Sequence, residues 1–268
     1  MANARILQHP GPVATERFKA VPCRATRQRV TLRAGETLLQ AMTEASSGAG
    51  AWFDLRDIPT KTLTFVRPAP ASDSHHVAWY SGETVLSDAA IRQAGAHLGR
   101  RDGAAFAHVH GLWQASDGAR HAGHLLPEAT VLSADCEVDI WRLDGAIMQS
   151  EPDDETEFTL FHPTATSVVD RPNAVLATIR PNELLEVGMA KCAATAAGPI
   201  ETVKGLGSLI GVQLEDQTGL EDVATEVLLT DRTGQDVVAV GFEGLAVAGR
   251  LTPGANRVCV TFEALLLS

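Results

Sequence analysis

Aromatic side chains make up only 5% of this 268-residue chain, too few to suggest a platform on which nucleic-acid bases stack. Cysteine is scarce as well. Cys23, Cys136, Cys192 and Cys259 lie far apart with no Cys-x-x-Cys pair, the usage of reduced, buried thiols in a cytoplasmic protein. No run of residues is apolar for long enough to span a bilayer, and MANARILQHPGPV at the start lacks a continuous apolar core. Cytoplasmic localisation with no membrane partner is therefore expected. A Gly-x-Ser-x-Gly elbow is missing, which removes one common serine-nucleophile reading. GLGSLIG at 205–211 lacks both the Lys-Ser/Thr of a phosphate loop and the spacing of a dinucleotide fingerprint.

Positive charge is in deficit too. The formal net charge of −11 disfavours non-specific attraction to nucleic acid. Its distribution is uneven, however. Arg5, Arg17, Lys19, Arg24, Arg27, Arg29 and Arg33 face Glu16 alone in the first 35 residues. This arm could meet DNA or an anionic ligand, or pair with acidic surface nearby. It carries no Arg-Gly-Arg-Pro minor-groove hook, and no helix-turn-helix is recognisable.

What is present is an ordinary globular balance, 45% hydrophobic and 21% charged, in a chain comfortable for two cores. RAGETLLQAMTEA at 33–45 reads as a short helix, with Leu38, Leu39 and Met42 on one side. LTFVRP from Leu63 and HHVAWYSG from His75 read as strands around an irregular connection. DAAIRQAGAHLG at 88–99 reads as helical. AFAHVHGLW and ATVLSADCEVDIW (129–141) are further strands. SEPDDETEF, with five carboxylates in nine positions (150–158), reads as a linker or exposed loop.

The segment HVHGLWQASDGARHAGHL holds four of the nine histidines. On a strand, His108 and His110 point to one face, and the Asp117-Gly118 turn lets the chain return antiparallel. That return brings His121 or His124 near the pair. Gly123, next to His124, permits close strand approach. The doublet His75-His76 cannot place both rings on one strand face. The second half also reads as a repeat of the first in order. RAGETLL at 33–39 has a counterpart in RPNELLE at 180–186, and GHLLPEA at 123–129 in GRLTPGA at 249–255. Each of the latter pair precedes an apolar strand, which indicates internal duplication. Arg250 then stands where the first half has His124. Aligning TEVLLTDRTG with HVHGLWQASDG sets Glu226 opposite His110. The second copy would be scaffold, or would complete a pocket from across the interface.

HVHGLW…DG…AGHLLPEATVLSADCEVDI (108–140) resembles the signature of the PPC domain, the plants and prokaryotes conserved domain. RAGETLLQAM fits that family's early helix. KGLGSLIGVQL (204–214) resembles its Gly-Ile-Gly-Ser-Leu strand entry, although it lies in the second copy. The tandem arrangement departs from the usual single-domain form. The resemblance implies an α/β (α+β) fold of two similar lobes, each a bent mixed β-sheet with flanking helices. Residues 20–148 would be the lobe with the histidine site, and 165–268 a degenerate copy without it. It further implies a homo-oligomer, with a trimer the usual assembly, and zinc held by His108, His110 and His124, leaving His121 outside. Plant relatives join the domain to DNA-binding hooks, so a DNA-binding regulator is an alternative function. A more distant fold-level similarity reaches acetolactate decarboxylase and a zinc-dependent ester hydrolase.

Three imidazoles leave a fourth zinc position for water or substrate, and such zinc polarises a carbonyl or activates water. The expected activity is a metal-dependent lyase or hydrolase acting on a small keto acid or ester. Glu128 and Glu137 are the nearby candidate acid or base groups. Arg56, Lys61 and Arg120 are candidate clamps for a small-molecule anion. The third reading is a metal-free structural or interaction module.

Overall fold

The structure is a computed structural model describing residues 5–268. In the first half, β1 (Phe18–Leu32) leads through α1 (Leu38–Ala45) into β2 (Ala51–Val66). A short pair, β3 (Pro68–Ala69) and β4 (Trp79–Tyr80), precedes β5 (Thr84–Ser87), β6 (Ala90–Arg101), β7 (Ala104–Gln114) and β8 (Arg120–Leu125). β9 (Val131–Leu132) and β10 (Cys136–Asp144) follow, then a hairpin of β11 (Ala146–Pro152) and β12 (Thr159–Ala165). The second half runs β13 (Ala174–Ile179), α2 (Leu185–Ala193), β14 (Thr202–Leu209), β15 (Thr225–Leu229), β16 (Asp236–Val240), β17 (Ala246–Arg250) and β18 (Val258–Leu267).

This architecture corrects the α/β expectation. The chain is mainly β, and among the described residues its only α-helices are α1 and α2, of eight and nine residues. The helix expected over 33–45 is confined to Leu38–Ala45, and it starts at a capping box in which Thr37 and Gln40 satisfy each other's free backbone N–H groups. The helix expected at 88–99 is instead β6. Its residues from Ala94 to Gly99 are all buried, so no polar helical face exists. A Cβ at Gly95 would lie 2.4 Å from the Trp52 ring, and one at Gly99 2.2 Å from the Met148 carbonyl oxygen. Small residues serve close sheet packing here, and tertiary context overrides the helical propensity of alanine. The strand expected from His75 shrinks to Trp79–Tyr80.

The succession of pairings is alike in the two halves: β1-β10-β2-β6-β7-β8 in the first, where β8 also pairs back with β2, and β13-β18-β14-β15-β16-β17 in the second. β1 joins them. Phe18–Cys23 pair with β13, and Arg24–Leu32 pair with β10. The sheet is mixed, because β11 runs parallel to β6. Each half has its own core, one around Leu38, Phe53 and Trp113, the other around Ile179, Leu185 and Phe262. A third cluster, including Trp52, Met148, Leu206 and Leu228, lies between them. All four cysteines are free. No helix among the described residues is long and apolar enough to cross a membrane.

Register revises the sequence alignment of the halves. His110 pairs with His124 across β7 and β8, and Asp236 pairs with Arg250 across β16 and β17. The topological counterpart of His110 is therefore Asp236, not Glu226. TEVLLTDRTG occupies the place of β6. Both hairpins of each half turn on glycine, so an alignment anchored on Gly234 slips by one strand.

The acidic segment 150–158 also departs from its reading as an exposed linker. Asp153, Glu155 and Thr156 are buried. Arg180 pairs with Asp153, and Arg17 reaches Glu155 at 2.7 Å and Glu183 at 2.9 Å. Carboxylates taken out of water are tolerated because cations from other segments neutralise them.

Candidate metal centre

The period of two along β7 turns His108 and His110 the same way. Pairing of His110 with His124 adds the third imidazole from β8. Ring centroids lie 4.5 Å (His108–His110), 4.8 Å (His108–His124) and 5.4 Å (His110–His124) apart. Gly123 lets β8 come this near: its φ is +155°, and a Cβ there would meet the Val66 carbonyl oxygen at 2.4 Å.

The second half completes the cluster. Glu226, from β15, forms an ion pair with His110 Nε2. Glu263, from β18, lies 2.8 Å from His108 Nδ1. Three imidazole nitrogens and one Glu226 oxygen fall within 4.8 Å of one another.

Outer contacts decide which nitrogens face inward. His110 Nδ1–H donates to the Val227 carbonyl at 3.0 Å, so its Nε2 faces the cluster. His108 shares a proton with Glu263 through Nδ1, and its Nε2 lies 2.9 Å from that of His110. Two ring nitrogens this close need a hydrogen on one of them or a metal ion beside both. Carboxylate and carbonyl partners on the far nitrogens are those that orient metal-binding imidazoles. The donor set fits a divalent ion.

Desolvation holds His108 down to about 3, with the neighbouring His110 adding to the effect. It also holds His124 well below the usual histidine range. Both are neutral at pH 7 and ready to donate a lone pair. For His110, desolvation is outweighed by the Glu226 carboxylate, which raises its pKa. Correspondingly, Glu226 is lowered despite its burial, chiefly by His110. Desolvation drives Glu263 well above the usual carboxylate range. Behind the cluster His97, pushed down to about 3 by desolvation, packs edge-on against Trp52 at 4.7 Å.

These shifts set the sign of a pH effect. His108 and His124 have no proton to lose on metal uptake, whereas His110 must release one. Metal affinity is therefore expected to fall below the raised pKa of His110, by about tenfold per pH unit for one proton. Competition titrations with a chelating dye at pH 8 and pH 6 read this directly; equal affinities would contradict it.

The histidines line a cavity of about 260 Å³ that also contains Tyr80, Arg101, Glu128, Glu226 and Glu263. Tyr80 Oη approaches His124 Nδ1 at 3.4 Å. Arg101 lies with its guanidinium carbon 3.6 Å from the centre of the Phe106 ring, and its Nε donates to Ser150 Oγ at 3.0 Å. Among the described residues its terminal nitrogens form no further hydrogen bond or ion pair.

Of the carboxylates marked in the sequence, Glu128 is exposed and lines this cavity. Glu137 is exposed on β10 and pairs with Arg29 at 3.0 Å. Arg56, Lys61 and Arg120 are exposed, and none of them lines the cavity. Arg56 borders a smaller cleft with Asp54 and Lys204. His121 packs against Phe65 at 5.6 Å, outside the ligand set. His75 binds Glu157 at 2.8 Å and His76 binds Asp73 at 2.9 Å. Sequence reading missed Arg101, Tyr80 and Glu263. Glu263 did leave a signal, a lone charge inside the apolar run VCVTFEALLL.

No family model matches the chain, and no curated protein matches it. Several solved structures are similar over about half of it. A metal-containing protein from Archaeoglobus fulgidus is 19% identical with a TM-score of 0.41, covering 55% of this chain and 99% of that one. A protein from Ralstonia eutropha, described provisionally as DNA-binding, is 12% identical at TM-score 0.40, with coverages of 52% and 95%. A plant- and prokaryote-conserved (PPC) protein from Pyrococcus horikoshii is 19% identical at TM-score 0.37, with coverages of 56% and 97%. At these scores the likeness assigns neither an activity nor a partner to this chain.

Proposed function

We propose that His108, His110, His124 and Glu226 hold one zinc ion, and that the surrounding cavity acts on a small keto acid or ester as a metal-dependent lyase or hydrolase. The observation that carries this reading is the convergence of three imidazoles and a carboxylate within 4.8 Å, a donor set suited to zinc. Bound zinc supplies polarisation of a carbonyl or activation of water.

The chain's own groups provide the rest. Arg101, with unpaired terminal nitrogens, receives the substrate carboxylate, the role first sought in Arg56, Lys61 or Arg120. Its fork matches a carboxylate in two hydrogen bonds. Glu263, bonded to His108 Nδ1, is the group that orients that imidazole with Nε2 toward the metal. Trp79, Tyr80 and Phe158 stand in the lining and limit water. The second half, in this proposal, is a degenerate copy that has lost the histidines and contributes Glu226 and Glu263. The shared strand order supports that descent. At the place of the histidine pair it carries an Arg250–Asp236 ion pair of 2.9 Å.

The test is a turnover screen of keto acids and esters with zinc-loaded protein. A hit should be abolished by chelation, and Arg101→Gln should raise KM about tenfold or more, the loss of a charge-assisted contact. A zinc-loaded protein inert toward both classes would return the chain to the non-catalytic reading.

The DNA-binding alternative draws on the basic arm, but four of its seven cations are paired within the chain. Arg27, Arg29 and Arg33 pair with Asp139, Glu137 and Asp135 at 2.9–3.0 Å, and Arg17 is held by Glu155 and Glu183. A cytoplasmic homo-oligomer, with trimer as the family-derived count, completes the proposal; light scattering reads that number.

A further inference from the structure

We propose that the cavity prefers carboxylates bearing an aromatic ring over bare short-chain keto acids. This rests on the reading above that Arg101 and the histidine cluster belong to one ligand site. Polar groups occupy only part of the lining: the charged and imidazole groups of Arg101, the histidines and the glutamates, joined by a few Ser and Thr hydroxyls. Much of the remaining wall is built from Tyr80, Phe106, Phe158, Phe161, Leu126 and Leu160. A ligand as small as pyruvate would satisfy the polar part and leave this surface wet.

Size and geometry favour a ring. An apolar cavity of about 150 Å³ accommodates benzene. The volume here, about 260 Å³, leaves room for a ring, a carboxylate and a short linker. Phe106 and Phe161 already stand edge to face, with centroids 5.4 Å apart and planes at 70°. Trp79 and Phe158 are tilted together at 5.5 Å. Such rings receive another aromatic group in offset or edge-on contact more readily than a flexible chain. Arg101 lies over Phe106, so the group that takes the carboxylate is continuous with the wall that takes the ring. The aromatic residues come from separate segments: Trp79 and Tyr80 from β4, Phe106 from β7, and Phe158 and Phe161 from the hairpin of β11 and β12.

Calorimetric titration of the full chain with phenylpyruvate and with pyruvate tests this, using zinc-loaded protein and protein dialysed against a chelator. Phenylpyruvate is expected to bind roughly fiftyfold tighter than pyruvate, the gain from burying about 100 Å² of ring surface. The preference is expected in both preparations, since the wall and Arg101 do not depend on the metal. Phe158→Ala should reduce the preference severalfold. Preference without any zinc uptake would end the metal reading and still support the aromatic pocket. Equal affinity for the two acids, or no binding of either, would overturn this inference whatever the metal content. Thermal unfolding of Phe158→Ala distinguishes a local change from a lost fold, and the comparison in the unmodified chain needs no variant.

Discussion

A chain ended after residue 165 is expected to be insoluble and to bind no metal. Loss of β13 leaves Phe18–Cys23 of β1 without their strand partner, an unpaired edge open to aggregation. The cluster between the halves would be stripped of Leu176, Leu206, Leu228 and Leu265, exposing Trp52 and Met148 from their other side. Each such large side chain contributes about 1.5–3 kcal/mol when fully buried. Together the losses approach the 5–15 kcal/mol that typically separates folded from unfolded domains. His110 and His108 would lose Glu226 and Glu263 as well. Solubility, circular dichroism and metal content of residues 1–165 read the outcome. A folded, soluble, metal-binding fragment would show that the halves are independent.

Arg180→Met is expected to destabilise the whole chain by about 3–5 kcal/mol, the usual effect of removing one partner from a buried ion pair. Asp153 is 4% exposed and Glu155 2%, so neither carboxylate can turn to water. Asp153 is held below its ordinary pKa: burial acts to raise it, but Thr156 and Arg180 outweigh that. A depressed carboxylate stabilises the fold above its unfolded pKa. That contribution disappears as pH falls through the lower folded pKa. The variant should therefore lose most stability near neutrality and differ least from the parent in strong acid. Urea midpoints at pH 7 and at pH 3 provide the comparison; equal midpoints at pH 7 would contradict the role given to this pair. Because Phe158 and Phe161 follow directly in the same hairpin, the cavity wall should loosen with it.

The histidine segment was legible because its information is local. A two-residue spacing, a strand pattern and an Asp-Gly turn suffice to bring His108, His110 and His124 together, and β7 and β8 have that geometry. α1 was legible in part for the same reason, its apolar residues Leu38, Leu39 and Met42 being close in sequence, although its start at Leu38 was not. Long-range facts were not. Ala94 to Gly99 resemble a helix until Trp52 and Met148 are seen to demand small neighbours. The acidic segment 150–158 reads as solvated until Arg17 and Arg180 arrive from distant positions. Arg101 and Glu263 were hidden by the absence of any local partner. The lone glutamate in an apolar strand was a usable sign, but its partner His108 lies 155 residues away. The similarity of GHLLPEA and GRLTPGA matches the similar strand succession of the two halves, yet glycine turns recurring in both hairpins let the alignment slip.

The most direct test of the metal centre is elemental analysis of protein purified without a histidine tag, with zinc available, beside His108→Ala and His124→Ala. The expected result is about one zinc per chain in the parent, in line with three imidazoles and a carboxylate converging on one point, and a large loss in both variants. No metal in the parent, or metal unchanged in both variants, would contradict the assignment.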